Sequence, residues 1–135
     1  MPNEARHGDP APSSPTGNAA DHFVDRHVRD GNGERLAFND SWRRLTYAGL
    51  RDASAAFAGA LRAAGIAREQ RIALLLLDTI DVPIAFWGAL RAGVVPVPIN
   101  TLLPPDLVGY ILNDSRAVAL VVSAPLLSAV LENLY

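Results

Sequence analysis

The sequence predicts an α/β fold: a mostly parallel β-sheet flanked by helices, preceded by a helix and a short hairpin. From Arg71 onward, apolar runs and helical patterns alternate in the order strand, helix, strand, helix, strand, helix. That order is typical of βαβ units, whose right-handed crossovers give parallel strands. The first of these runs, residues 72–77, is continuously apolar, as a strand buried on both faces requires. Glycines follow the helical patterns that end near residues 29, 64 and 92, and they mark where those helices stop.

Residues 1–17 are predicted to form a disordered leader, because they contain four prolines and no apolar periodicity. Structure is predicted to begin at Asn18, whose side chain can cap a helix over residues 19–29. Gly31 is predicted to end that helix. Residues 18–135 are therefore expected to form the folded part of the chain.

A hairpin and a second helix are predicted next. Short strands over residues 35–38 and 43–45 flank a polar turn at residues 39–41. Thr46 is a good N-cap for the helix that follows, in which apolar residues recur at helical spacing. Gly65 provides the stop for this helix.

The alternating part of the chain begins with the buried strand at residues 72–77. A helix over residues 80–92 follows, for which Asp78 and Thr79 are candidate caps. The second strand, residues 94–99, has prolines at alternate positions, which removes ladder donors and predicts a strand at the edge of the sheet.

A helix from residue 104 to about 113, a strand over residues 118–122 and a helix opened by Pro125 complete the pattern. The last helix reaches Tyr135 without a cap or a stop signal, and a three-stranded parallel sheet normally has more strands beside it. We therefore expect an incomplete domain, truncated at its C-terminus, whose exposed sheet edge makes it self-associate. A small complete α/β module is the alternative.

Composition argues against several classes of function. Half of the residues are hydrophobic, and the formal net charge of −2 is spread without runs of like charge, so no nucleic-acid partner is expected. The strongly apolar helical stretches are far shorter than the ~20 residues that span a bilayer, which predicts no membrane partner and a cytoplasmic location. The chain has no cysteine, which excludes disulfides and thiolate chemistry.

The cationic side chains are all arginines, 12 in number, and the sequence contains no lysine. A lysine that binds phosphate or forms a Schiff base is therefore absent from this chain. The ten glycines are scattered and do not form a phosphate-binding loop between a strand and a helix.

Residues 76–103 carry a specific resemblance. They read LLDTIDVPIAFWGALRAGVVPVPINTLL, a helix ending in GALRAG followed by the proline-punctuated strand VVPVPIN. This stretch resembles the adenylate-forming (AMP-binding) superfamily, which includes the acyl- and aryl-CoA synthetases. Residues 78–79 with 100–103, and the early residues 18–26, look closest to its benzoate-CoA ligase branch. The resemblance implies that residues 18–135 are a partial N-terminal AMP-binding (adenylation) domain.

The same resemblance implies the N-terminal segment of an ATP-dependent aryl/acyl-CoA ligase. In such a ligase an aromatic or other small carboxylate reacts with ATP to give an acyl-adenylate and pyrophosphate, while Mg²⁺ screens the phosphates. The thiol of coenzyme A (CoA) then attacks the acyl carbon, and AMP leaves. The family performs these steps with a lysine-containing phosphate loop, an adenine-site motif and a lysine of a mobile domain, all of which come later in the chain order than residue 135.

No catalytic, cofactor-binding or metal-binding residue is therefore assigned, and this segment alone is predicted to be inactive and to bind none of the three cofactors. The competing interpretation is a non-catalytic α/β interaction module or a subunit of a split enzyme, since a fold by itself does not fix a function.

Polar residues directly follow two of the predicted strands. Open α/β sheets place ligands beyond the carboxyl ends of their strands, so Asn100 and Thr101 are assigned as candidate substrate-binding residues. Asp78, Thr79 and Asp81 occupy the same position after the first strand. For both groups the alternative is a structural role, in which the side chains cap a helix or shape a loop.

Histidines and aromatic residues are further candidates. His22 and His27 are five residues apart and do not stack on one helix face, so they and His7 are expected to be solvated or half-buried. Phe86 and Trp87 are adjacent in a helix and point to different sides, so at least one of them is expected to pack in the core and not to line an aryl pocket.

Overall fold

The structure, a computed structural model, describes residues 17–132, so the predicted leader lies outside the described residues except for Gly17. The first helical segment begins after Asn18, as predicted, because Asn18 Oδ1 accepts a hydrogen bond from the N–H of Ala20 at 2.9 Å. Its middle is a π-helical turn, Asp21–Asp25, and the α-helix α1 (Arg26–Arg29) continues from it. Gly31 then follows with a φ of +81° in the left-handed region that favours glycine.

The predicted hairpin and second helix are both present. Strands β1 (Leu36–Asn39) and β2 (Arg44–Thr46) pair antiparallel, with a register shift between Leu36 and Phe38. Helix α2 (Tyr47–Ala63) starts at the predicted cap, where Thr46 Oγ1 accepts from the N–H of Gly49 at 3.1 Å.

Three parallel strands form the sheet, as the alternating pattern predicts. They are β3 (Arg71–Leu75), β4 (Val95–Pro98) and β5 (Ala117–Val122), in the spatial order β4-β3-β5. The central strand is therefore the continuously apolar one, and the proline-containing strand lies at an edge of the described sheet, as predicted.

Helices cover both faces of β3. Helix α3 (Asp81–Ala92) follows β3, α4 (Pro105–Asp114) follows β4, and a 3₁₀ turn (Ala124–Leu126) leads from β5 into α5 (Leu127–Leu131). Because side chains alternate along a strand, Ile72 and Leu74 pack in a cluster with α2 and α3. Ala73 and Leu75 pack in a second cluster with Val108 of α4 and Val130 of α5.

A third apolar cluster joins the elements that precede the sheet to α3. It contains Val24 of the first helical segment, Leu45 of β2, Leu50 of α2 and Ile80 at the start of α3. These side chains are buried, so the hairpin is held against the amino-terminal end of α3. This packing places the hairpin turn beside the carboxyl end of β3.

Helices α2 and α3 approach closely at Gly88. A Cβ built on Gly88 would lie 2.7 Å from Phe57 Cδ1 and 2.9 Å from the backbone oxygen of Ser54. Only a residue without a side chain fits such a contact. Among residues 17–132, no helix is both long enough and apolar enough to cross a bilayer.

Candidate functional site

The polar residues that follow β3 and β4 lie at the same edge of the sheet, because the two strands are parallel neighbours. Asp78 and Thr79 follow β3, and Asn100 and Thr101 follow β4. In open α/β sheets this edge, beyond the carboxyl ends of the strands, is where ligands bind. Two clefts open here, and both contain Asp78, Val82 and Phe86.

The smaller cleft, of about 290 Å³, brings the candidate substrate-binding residues Asn100 and Thr101 together with Asp78. Apolar side chains from β3, β4 and α3 form the rest of its wall. They belong to Leu74, Leu76, Val82, Phe86, Pro98 and Ile99. The cleft therefore combines an apolar floor with a few polar groups, the arrangement that is typical of small-molecule sites.

Asn100 shapes the loop in which it lies. Its Oδ1 accepts a hydrogen bond from the N–H of Leu102 at 2.9 Å, and its backbone oxygen accepts from the N–H of Leu103 at 3.2 Å. Its Nδ2 and the hydroxyl of Thr101 make no hydrogen bond within residues 17–132. Asn100 Oδ1 thus has the loop-shaping role that was the alternative to substrate binding. The Nδ2 of Asn100 and the hydroxyl of Thr101 remain as hydrogen-bond donors at the cleft.

The larger cleft, of about 660 Å³, lies between the hairpin turn and α3. Residues of the hairpin form one wall: Phe38, Asn39, Asp40 and Ser41. Residues 78–80 and the first half of α3 form the other wall, with the aromatic rings of Phe86 and Trp87. Phe86 and Trp87 also pack against different apolar clusters, as expected for adjacent residues of a helix. Both rings nevertheless line this cleft, so the expectation that one of them would not line a pocket is wrong.

Asp40 connects the hairpin turn to the start of α3. Its carboxylate accepts hydrogen bonds from the N–H groups of Trp42 at 2.9 Å, Arg43 at 2.7 Å and Ile80 at 3.1 Å. These bonds, first those from Trp42 and Ile80, lower the pKa of Asp40 to about 2. The carboxylate of Asp40, which lies 40 positions earlier in the chain, therefore accepts from the N–H of Ile80 at the amino terminus of α3.

This geometry corrects the predicted caps of α3. Thr79 Oγ1 accepts from the N–H of Asp81 at 3.3 Å, so Thr79 does contribute to the helix start. Asp78 makes no hydrogen bond to α3 within the described residues, and Asp40 takes the capping role instead. The sequence could not indicate this, because the partner lies on a separate element.

Arg43 completes the connection between the hairpin and α3. Its guanidinium lies 3.0 Å from Asp40 and 3.0 Å from Asp81. The hydrogen bond from Arg43 lowers the pKa of Asp81 below its ordinary value. Arg43 is therefore one of the residues that hold the rim of the larger cleft.

The two histidines within the described residues have the exposure that the sequence predicts: His22 is exposed and His27 is half-buried. His27 stacks on Tyr47 with ring centroids 4.2 Å apart, and the rings of His22 and Phe23 form a T-shaped pair with centroids 4.8 Å apart. Over residues 17–132, no group of three or more metal-binding side chains is found. His7 lies outside the described residues.

The charges at the two clefts do not suit polyphosphate. Their lining residues within the described part of the chain include Asp40 and Asp78 but no arginine or histidine. Phosphate groups need cationic side chains or clustered N–H donors, and Arg43 at the rim already binds two carboxylates. The residues of these two clefts thus do not fit ATP with its Mg²⁺ ion.

Three parallel strands with helices on both faces, and clefts beyond the carboxyl ends of the strands, define a segment of an open α/β domain. The model of the family described as "AMP-binding enzyme" matches residues 24–134. The chain belongs to this family of adenylate-forming enzymes, which confirms the resemblance found in the sequence.

Individual relatives agree with this assignment. The chain is 49% identical over 115 residues to a 4-hydroxybenzoate–CoA/benzoate–CoA ligase of Rhodopseudomonas palustris, a match that covers 85% of this chain and 21% of the relative. It is 39% identical over 111 residues to a benzoate–CoA ligase of Thauera aromatica, with coverages of 82% and 21%. The chain thus spans about a fifth of the length of these curated relatives.

A solved structure gives the same result for the fold. The crystal structure of a benzoate CoA ligase from Burkholderia xenovorans LB400 superposes with a TM-score of 0.81 at 39% sequence identity. The superposition covers 87% of this chain and 24% of that one. The predicted fold class, part of the large domain of an adenylate-forming enzyme, is confirmed.

Proposed function

We propose that this chain is the N-terminal segment of a cytoplasmic aryl-CoA ligase that acts on an aromatic carboxylate. The carboxylate attacks ATP to give an aryl-adenylate and pyrophosphate; the CoA thiol then attacks the acyl carbon and AMP leaves. The observation that supports this most is the 49% identity, over 85% of the chain, to a ligase named for benzoate and 4-hydroxybenzoate.

Within that ligase, Asn100 and Thr101 contact the substrate at the smaller cleft. Asn100 Nδ2 and the Thr101 hydroxyl supply neutral hydrogen-bond donors beside the apolar side chains of Leu74 and Phe86. Asp78 lies in the same cleft, and its negative charge disfavours a second carboxylate there. The two residues therefore contact an uncharged part of the substrate, away from the reacting carboxyl group.

The binding of ATP, Mg²⁺ and CoA is assigned to residues that this chain does not contain. The absence of lysine from the sequence and the acidic character of both clefts support this division. The purified chain of 135 residues is thus inactive by itself. Pyrophosphate release from benzoate, ATP and Mg²⁺ at the rate of the protein-free control is the expected result, and release well above it would overturn this part of the proposal.

A chimera tests the ligase assignment directly. Residues 18–132 replace the matching part of the Rhodopseudomonas palustris ligase, and formation of benzoyl-CoA is measured. Activity within about tenfold of the parent is expected, because a segment with this identity preserves the shape of the core. A chimera that folds but forms no aryl-CoA would favour the alternative, a non-catalytic interaction module.

Substitutions in the chimera test the site separately. Asn100→Asp keeps the oxygen that accepts from Leu102 but removes the Nδ2 donor, and Thr101→Val removes the hydroxyl at equal volume. Loss of one hydrogen bond raises the KM of the substrate that it contacts about three- to tenfold. If neither variant changes the KM of the carboxylate, ATP or CoA, the two residues only shape the loop, while the ligase assignment stands on the parent chimera.

A further inference from the structure

The start of α3 is fixed by contacts from the hairpin turn. Pro83 has no N–H, and Thr79 binds the two N–H groups that precede it. In the described part of the chain, the hydrogen bonds that reach residues 79–84 from another element all come from Asp40 and Arg43. A hydrogen bond is directional, so these contacts set both the position and the rotation of the first helical turn.

The two carboxylate oxygens of Asp40 have separate roles. Oδ1 accepts from the N–H groups of Trp42 at 2.9 Å and Arg43 at 2.7 Å, which holds the hairpin turn. Oδ2 accepts from the N–H of Ile80 at 3.1 Å and from the guanidinium of Arg43 at 3.0 Å. The side chain of Asp40 is only 5% exposed, so water competes little with these bonds. One oxygen therefore shapes the hairpin, and the other holds α3.

The part of α3 that Asp40 holds forms a wall of both clefts. Val82 and Phe86 are four residues apart, so they lie on the same side of the helix. Both line the larger cleft and the smaller one, which also contains Asn100 and Thr101. The buried side chain of Ile80 packs in a cluster with the hairpin as well, but apolar contacts are non-directional and do not by themselves fix the rotation of a helix.

We propose that Asp40 is a positioning residue for the carboxylate substrate, because it holds α3 so that Val82 and Phe86 keep the shape of the smaller cleft. Asp40 does not line that cleft, so it acts through the helix and not by contact with the substrate. The inference rests on the proposed ligase function, in which the substrate occupies the smaller cleft. ATP and CoA are assigned to residues outside this chain, so Asp40 affects the binding of the carboxylate and not of the two cofactors.

Asp40→Asn in the chimera with the Rhodopseudomonas palustris ligase tests the proposal. Asparagine keeps an oxygen for the hairpin turn, but its Nδ2 is a donor and cannot accept from Ile80. The KM of the carboxylate should rise about three- to tenfold, while kcat and the KM values of ATP and CoA should not change. Asp52→Asn is the matched control, because it makes the same change at a side chain of α2 that is 69% exposed, and it should leave every constant unchanged.

A second variant and hydrogen exchange complete the test. Arg43→Gln removes the ion pairs of the hairpin turn but leaves the bond from Ile80 to Asp40, so it should raise the same KM by a smaller factor. This variant keeps the test valid if Asp40→Asn does not fold. Peptides that contain residues 77–84 should exchange faster in Asp40→Asn than in the parent chimera, and at the parent rate in Asp52→Asn.

The outcomes separate this inference from the proposed function. A folded parent chimera without ligase activity would overturn both. With an active parent chimera, an unchanged KM of the carboxylate in Asp40→Asn and Arg43→Gln would overturn the inference alone, as would an equal rise in the KM of ATP or a fall in kcat. A higher KM without faster exchange in residues 77–84 would also overturn it, because Asp40 would then not act through α3.

Discussion

Arg91 and Asp25 form an ion pair that joins the carboxyl end of α3 to the first helical segment. The two side chains are 15% and 20% exposed, and the guanidinium nitrogens Nη1 and Nη2 each donate to one oxygen of the Asp25 carboxylate. Arg91 Nε also donates to Ser54 Oγ of α2 at 2.9 Å, and Ser54 is fully buried. One guanidinium therefore joins three helical elements, which explains why an arginine stands within GALRAG.

Replacement of Arg91 by leucine should lower the free energy of unfolding by about 2 kcal/mol. The change leaves the Asp25 carboxylate largely desolvated without its partner, although the remaining exposure keeps the loss below that of a fully buried pair. The urea midpoint measures the loss. Arg29→Leu is the control, because its pair with Asp21 is 57% and 29% exposed and should contribute little. Equal midpoint shifts for the two variants would contradict this account.

Two glycine substitutions should have opposite effects on stability. Gly88→Ala introduces a Cβ within 3 Å of Phe57 and of the Ser54 backbone, and such overpacking costs about 1–3 kcal/mol. Gly59→Ala in α2 meets nothing within 4 Å and should stabilise the helix by about 0.5–1 kcal/mol. Thermal unfolding should show a lower midpoint than the wild type for Gly88→Ala and a higher midpoint for Gly59→Ala. A neutral Gly88→Ala would show that α2 and α3 can separate without cost.

Asp40 should make stability depend on acid pH. Its pKa is about 2 in the folded protein and ordinarily 3.8, so the carboxylate form is favoured by folding. This contribution is fully present above about pH 4 and is lost as the pH falls toward about 2. The difference in unfolding free energy between wild type and Asp40→Asn should therefore shrink over that range. A difference that stays constant from neutral pH to about pH 2 would rule out Asp40 as the titrating group.

Most of the fold could be predicted because its determinants are local. The apolar run of β3, the Thr46 cap and the left-handed glycines each act within a few residues, and the structure places them as expected. The π-helical turn at Asp21–Asp25 was not predicted, because a single turn with wider hydrogen-bond spacing does not change the apolar pattern of a short helix. The alternation of β3 side chains between two clusters followed directly from strand geometry.

The site was less predictable, because its connections join residues that are distant in sequence. The position of Asn100 and Thr101 at a cleft followed from the rule for parallel sheets. The bond from Ile80 to Asp40 and the pair between Arg43 and Asp81 span about 40 residues, and no local pattern marks them. Only the packing of the hairpin on α3 brings these groups together.

Removal of the prolines of β4 should make the edge of the described sheet more prone to association. Val95 and Ile99 donate their N–H groups toward β3, so Pro96 and Pro98 lie at the outward positions of β4 and offer no N–H there. Pro96→Val with Pro98→Val restores two outward donors, and species larger than those of the wild-type chain at the same concentration are expected in light scattering. Pro105→Ala at the start of α4 is the control, because it lies outside the sheet and should scatter like the wild type. A double variant that scatters like the wild type would show that missing donors do not block this edge.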